Sequence, residues 1–266
     1  MRILLLGYGK MGKVIERIAL ERGHTIAARI DADNQDELVR IGQSAPADRP
    51  DVAIEFSQPD SAYSNLSFCL VHGIPVVCGT TGWLELKPQI EHMAREKGGQ
   101  FFYASNYSIG VNLFFKLNKL LAGWMNAYPQ YEVSITEIHH TEKKDAPSGT
   151  AITLAEGLLA GLSRKSAWKG DEHLNRPDTT PAEVAIHSVR ENKVPGTHTV
   201  RYESPVDKIE IIHTAHSREG FALGAVTAAE WLYRQKQAGH SGAFGMDELL
   251  DEIGEQLTVN RIVNSK

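Results

Sequence analysis

The chain has 266 residues, a formal charge of −5 at pH 7, 42% hydrophobic and 23% charged residues, and two cysteines. That length can bury a large core in one two-lobed unit or two joined domains, and the acidic balance, with no basic arm, argues against a nucleic-acid partner. Cys69 and Cys78 cannot build a disulfide framework or a zinc site, and no apolar run approaches the roughly 18 residues of a membrane span, so the expectation is a cytoplasmic protein with no membrane partner.

Ile3 to Leu6 is an uninterrupted apolar run, which predicts a parallel strand buried on both faces. Gly7-Tyr8-Gly9-Lys10-Met11-Gly12 follows, and Met11, Val14, Ile15, Ile18 and Ala19 then recur at helical spacing. A G-x-G-x-x-G between a strand and a helix reads as a dinucleotide cradle, the alternatives being a flavin or other nucleotide site and a plain glycine-rich turn. Gly7 permits the tight turn, Gly9 lets the backbone approach a pyrophosphate, and Gly12 brings the helix close to the strand. Thr25 to Ile30 predicts a second strand, and Asp31 at its end lies 19 residues after Gly12, where an acid binds the adenosine ribose hydroxyls. Asp31 repels a 2′-phosphate and Ala32-Asp33-Asn34 adds no cation, although Lys10 and Arg29 are nearby; the expectation is NADH preference or dual use of NADH and NADPH.

Residues 51–56 predict a third strand, 58–72 a helix and 75–78 a fourth strand that runs into Gly79-Thr80-Thr81-Gly82. Ligands of open parallel sheets sit at such strand ends. A helix near 83–97 and a strand at 100–104 complete an α/β, Rossmann-type doubly wound sheet. Cys78 reads as a small buried residue, since no activating histidine lies close in sequence.

The pattern then changes. A helix of roughly 109–126 carries Leu113, Leu117, Leu120 and Leu121 on one face, and long strands follow at 131–138, 183–190, 198–203 and 208–214. Asn192 to Gly196 is a turn signal that predicts an antiparallel hairpin between two of them. These strands form a second α+β lobe with an open mixed or antiparallel sheet. Residues 219–236 return to helix and pack on the first lobe, and a last helix with a loose tail is expected from about 250 to 266. The expected domains are 1–106 with 218–266 for the dinucleotide, and 107–217 for substrate and oligomerisation.

In EIHHTEKKDAPSGTA, residues 137–151, the strand carries Glu137 and Ile138 inward and His139 and His140 stand at its end. Strand alternation lets only one of the pair face a given cleft. Lys143, a Thr150 hydroxyl and the helix start at Ser148-Gly149-Thr150 make a carboxylate site, and a histidine beside it can supply a proton near neutral pH. The alternative is a solvated loop in which Ser148 merely caps a helix. No metal is expected, because vicinal histidines seldom share one ion and His213 and His216 face opposite ways.

The block from Glu137 to Ala151 resembles the signature of the dihydrodipicolinate reductase family, also called 4-hydroxy-tetrahydrodipicolinate reductase. The resemblance extends to the glycine loop, Glu55-Phe56-Ser57, Gly79 to Gly82, Asn106 to Asn112, Ser217-Arg218, Phe221-Ala222 and Gly224-Ala225. It implies an NAD(P)H-dependent oxidoreductase of lysine and diaminopimelate biosynthesis that reduces an unsaturated cyclic dicarboxylate. By resemblance His139 is the general acid, Lys143 a substrate ligand and acid, and His140, Gly149, Thr150 and Thr81 bind substrate. The cofactor falls to Gly7, Gly9, Lys10, Met11, Gly12, Asp31, Phe56, Gly79, Thr80, Thr81, Ala104, Asn106 and Tyr107. The resemblance also implies a homotetramer through the second-lobe sheet, or a dimer. Two departures stand out: the Gly7–Gly12 loop is one residue shorter than the family form, and Ala32 replaces its usual basic residue. The competing functions are another Rossmann oxidoreductase of amino-acid biosynthesis, which needs an activated cysteine if it is a semialdehyde dehydrogenase, and a dinucleotide-sensing module without catalysis.

Overall fold

The structure, a computed structural model, describes residues 1–170, 178–217, 219–252 and 254. Its elements are β1 (Arg2–Leu6), α1 (Lys10–Glu21), β2 (Thr25–Ile30), α2 (Gln35–Gln43), β3 (Val52–Glu55), α3 (Pro59–Val71), β4 (Val76–Cys78), α4 (Lys87–Glu96), β5 (Gln100–Tyr103), α5 (Ile109–Met125), β6 (Glu132–His139), α6 (Gly149–Gly161), β7 (Ala167–Gly170), β8 (Glu183–Arg190), β9 (Thr197–Glu203), β10 (Lys208–Thr214), α7 (Glu219–Gln237) and β11 (Gly242–Phe244). They form two compact units: Met1–Ile109 with Glu219–Lys266, and Gly110–Arg218.

The first unit is a six-stranded sheet in the order β11-β5-β4-β3-β1-β2, parallel throughout. The burial of β1 explains its sequence. Ile3 and Leu5 enter a core shared with Ile15 of α1 and Ala225 and Val226 of α7, while Leu4 and Leu6 enter a second core with Leu66 of α3 and Ile90 of α4. A strand covered on both faces has no polar side, hence the continuous apolar run. The order reverses at β1, so the crevice beyond the carboxyl ends of β1 and β3 is the switch point where such sheets bind ligands. Arg218, residue 253 and the tail from 255 lie outside the described residues, and the expected helix near 250–266 is described only at its start, where Leu249 and Leu250 are buried.

The second unit is a mixed five-stranded sheet in the order β10-β9-β6-β8-β7. β6 runs parallel to β8 and antiparallel to β9, and β9 runs antiparallel to β10. Phe114 and Met125 of α5 and Leu154 and Leu158 of α6 pack against Val133, Ile135, Ile186 and Val200 on one sheet face.

Three expectations are corrected here. The hairpin between β8 and β9 does not exist, because β6 lies between them; residues 191–196 cross over the end of β6, with Glu191 N–H donating to His139 O at 2.8 Å and Thr141 N–H to Asn192 O at 3.2 Å. The hairpin in this sheet is β9–β10. On α5 the buried residues are Val111, Phe114, Asn118, Ala122 and Met125, whereas Leu113, Leu117 and Leu120 are 46–51% exposed. Finally, Glu137 and Ile138 cannot both point inward: Val133, Ile135, Glu137 and His139 are the buried positions of β6, and Ile138 is half-buried on the other face.

Candidate active site

The glycine loop of the first unit has the shape of an anion cradle. Gly7 has φ +90°, its N–H donates to Ile30 O at 2.8 Å, and a Cβ there would collide with the Phe56 carbonyl. A Cβ on Gly12 would strike the Gly7 carbonyl, which is how α1 comes so close to the loop. Gly9 caps α1 without a side-chain partner, and a Cβ there would meet nothing within 4 Å. Open space over unpaired helix-start N–H groups suits a pyrophosphate. Lys10 is exposed at the first position of α1, and Met11 is half-buried against the core.

Asp31 ends β2 with its carboxylate already oriented, one oxygen accepting from Tyr8 N–H at 3.2 Å and the other from Ala32 N–H at 2.9 Å. It lines a cavity of about 220 Å³ together with Tyr8, Ala32, Gln35, Phe56 and Ser57. The Phe56 ring occupies the space where a side chain on Gly79 would stand. Thr80 is buried, its hydroxyl accepting from Ser57 N–H at 2.9 Å, while Thr81 is exposed. Ala104 is buried after β5, and Asn106 Oδ1 accepts from Ser108 N–H at 2.9 Å. Tyr107 is buried, with its hydroxyl donating to Cys78 O at 2.7 Å, so it offers a ligand backbone rather than side chain. The residues present fit a dinucleotide.

Neither cysteine can serve as a nucleophile. Burial pushes both thiols up, and the carboxylate of the fully buried Glu55 adds to this at each, accepting from Cys78 Sγ at 3.1 Å. The cysteine-dependent chemistry of a semialdehyde dehydrogenase therefore finds no activated thiol here.

In the second unit the site grows from the end of β6. Because a strand repeats every two residues, Glu137 and His139 share its buried face, and His139 Nδ1–H donates to the Glu137 carboxylate. Arg190 Nη2 donates to the other carboxylate oxygen at 3.0 Å, and Ser148 N–H to the same oxygen at 3.3 Å. Burial alone would push Glu137 up, but the polar groups of His139, Ser188 and Arg190 outweigh it and hold the carboxyl at about 2. The imidazole is 11% exposed, and its Nε2 faces Gly196 on the crossover, 3.0 Å from where a Cβ would be.

Ser148 joins this cluster to the helix start. Its hydroxyl accepts from Ala151 N–H at 3.3 Å and contacts His198 Nε2 at 3.0 Å, and helix bonding begins only at Ile152, leaving the Gly149 and Thr150 N–H groups without intrahelical acceptors. His198 stands 5.1 Å from His139, ring to ring, and burial, then the neighbouring His139, lowers its pKa to about 4. It is a neutral imidazole at neutral pH. His140 is half-buried just past the strand, with Nδ1 buried and unpartnered among the described residues. Lys143 is clasped by both Asp145 oxygens, at 2.9 and 2.7 Å.

Sequence reasoning passed over Glu137 as a site residue, and Arg190 and His198 altogether. Glu137 was findable from its two-residue offset to His139; the other two come from β8 and β9, and only the sheet pairing brings them near. Glu137, His139 and His198 have donor atoms within 4.8 Å of one another, a spacing that could hold a cation. The Arg190 guanidinium on Glu137 supplies a positive charge at that point, and His198 joins the cluster through its contact with the Ser148 hydroxyl.

Residues 1–107 match the family model for the dihydrodipicolinate reductase N-terminus, and residues 110–250 match that for its C-terminus. The chain is 47% identical over 253 residues to the 4-hydroxy-tetrahydrodipicolinate reductase of Christiangramia forsetii, a span covering 95% of this chain and 99% of the relative. It is 34% identical over 250 residues to the enzyme of that name from Lawsonia intracellularis, covering 88% and 94%. Its fold is similar to that of a dipicolinate-bound dihydrodipicolinate reductase from Paenisporosarcina sp. TG-14, with a TM-score of 0.72 at 21% identity over 93% of this chain and 99% of that one.

Proposed function

The chain belongs to the dihydrodipicolinate reductase family, and from that premise we propose that it is the NAD(P)H-dependent reductase that converts a dihydrodipicolinate-type cyclic dicarboxylate to tetrahydrodipicolinate in lysine and diaminopimelate biosynthesis. The observation that carries the residue-level reading is the buried Glu137–His139 pair beside the start of α6. A nicotinamide, when bound, supplies the hydride; the chain's residues hold the partners and deliver the proton.

The first unit holds the dinucleotide: pyrophosphate at Gly9, Lys10 and Met11 with Gly7 and Gly12 shaping the loop, ribose at Asp31, and nicotinamide along Phe56, Gly79, Thr80, Ala104, Asn106 and the Tyr107 backbone. Cofactor use favours NADH, since the cavity at Asp31 has that acid as its one charged lining residue. In the second unit the Gly149 and Thr150 N–H groups take one substrate carboxylate, and His140 and Lys143 complete the grip. Lys143 exchanges Asp145 for the incoming carboxylate. His139 gives its proton from Nε2, while the Glu137 carboxylate accepts from Nδ1–H and fixes the ring's tautomer and orientation.

The chain assembles as a homotetramer through the face of the second sheet opposite its helices, where Thr136, Ile138, His187 and Thr199 are half-buried and Ile212 is 59% exposed; a dimer is the alternative. The test is oxidation of NADH and NADPH, with substrate generated in situ from pyruvate and aspartate semialdehyde, by protein whose mass has been read by light scattering. Turnover faster with NADH from a tetramer is expected. Folded protein that oxidises neither cofactor sinks the activity, and a monomer sinks the assembly.

A further inference from the structure

The adenosine end of the cofactor site contains a cation that is present but engaged. Arg29 stands on β2 two residues before Asp31, on the same side of the strand by alternation. Its Nε donates to Glu16 Oε1 at 3.0 Å and its Nη2 donates to the same oxygen, while the Tyr8 hydroxyl donates to Glu16 Oε2. The guanidinium carbon lies 5.7 Å from the Tyr8 ring centroid, and Tyr8 lines the cavity at Asp31. Glu16 is 13% exposed and Arg29 43%. A guanidinium is the side chain best suited to a phosphate, and this one stacks on a ring that lines the cavity beside Asp31.

We propose that Glu16 is the residue that sets the NADH preference, by sequestering Arg29 in a Glu16–Arg29–Tyr8 clasp while Asp31 remains the one charged residue lining the cavity. The inference rests on the NAD(P)H-dependent reading above. In an arrangement without the Glu16 carboxylate, Arg29 keeps its place over Tyr8 but has no anion to satisfy its fork, and a 2′-phosphate becomes its partner. The hydrogen bonds from Arg29 hold the Glu16 carboxyl below the usual range, so the clasp persists wherever the enzyme works near neutral pH. Asp31 still opposes a phosphate in the altered protein, so the gain is a shift in preference rather than a full reversal.

The experiment is direct binding of NADH and NADPH, followed by cofactor fluorescence, with competition by 5′-AMP and 2′-AMP, on wild type, Glu16→Gln, Arg29→Ala and the double variant. Glu16→Gln should tighten NADPH and 2′-AMP about tenfold while NADH and 5′-AMP stay within twofold, the size expected for one charge-assisted phosphate contact. Arg29→Ala alone should leave the NADPH to NADH ratio of dissociation constants unchanged, and should abolish the gain in the double variant. An unchanged ratio in Glu16→Gln overturns the proposal. So does a tenfold loss of NADPH binding in Arg29→Ala, which needs no altered Glu16 and means that Arg29 already serves the phosphate. Absence of binding by either cofactor to wild type instead overturns the reductase reading, and is distinguished on the first measurement.

Discussion

Glu137 and His139 meet because they are two apart on a strand, and what surrounds them decides their chemistry. A buried carboxylate without partners would take up a proton; this one is held at about 2 by His139, Ser188 and Arg190 against the upward push of burial, so it stays an anion under the imidazole. His198, 5.1 Å away, is neutral because it is buried, so it places no cation beside His139. His139→Gln removes the donor and should lower kcat about 10²-fold, the scale of one general acid. Glu137→Gln keeps the shape and removes the charge. It should lower kcat by roughly tenfold and leave KM nearly unchanged. A normal kcat in His139→Gln refutes the acid assignment, and a Glu137→Gln variant whose loss appears in KM rather than kcat makes that residue a structural one.

At the scale of elements, the crossover at residues 191–196 is the part that a local pattern misjudged. Its turn residues read as a hairpin because turn chemistry reports a change of direction, not which strand comes to lie alongside. β6, distant in sequence, takes the place between β8 and β9, and the crossover then has to pass over the end of β6 where His139 sits. Gly196 makes that possible, with φ +155° and its α-carbon turned toward the imidazole. Gly196→Ala should therefore strain the crossover and push His139 out of line, lowering kcat by about ten- to a hundredfold while NADH affinity, set in the other unit, stays constant. Unchanged turnover would mean that His139 tolerates displacement. Other elements were plain in the sequence for reasons that are equally physical. β1 has no polar face because both its faces are covered, and α6 opens at a serine whose hydroxyl caps it. On α5 periodicity found an apolar stripe, but periodicity does not say what covers a stripe, and the core took Phe114, Ala122 and Met125 instead. Arg190 and His198 reach the site only through sheet register, which no spacing within 137–151 encodes.

For the whole molecule, the same buried groups that tune the site make its stability depend on pH. Burial holds His198 at about 4 in the folded chain against an ordinary 6.5, and burial also lowers His213. Between those two values the unfolded chain binds a proton on residue 198 that the folded chain refuses, so stability falls as the pH drops through that window and rises again on returning above 6.5. From pH 6.5 to 5 the loss from His198 is about 2 kcal/mol. The carboxylates act lower down. Glu137, held at about 2 against an ordinary 4.5, contributes stability that is present above 4.5 and is lost as the pH falls toward 2. Chemical denaturation should thus give a lower urea midpoint at pH 5 than at pH 7.5, before most carboxylates titrate. His198→Gln, which retains a hydrogen-bonding partner for the Ser148 hydroxyl, should show a distinctly smaller drop between the two pH values, with the steeper loss below pH 4.5 preserved. Equal drops in the two proteins would place the acid sensitivity elsewhere and remove His198 as its source.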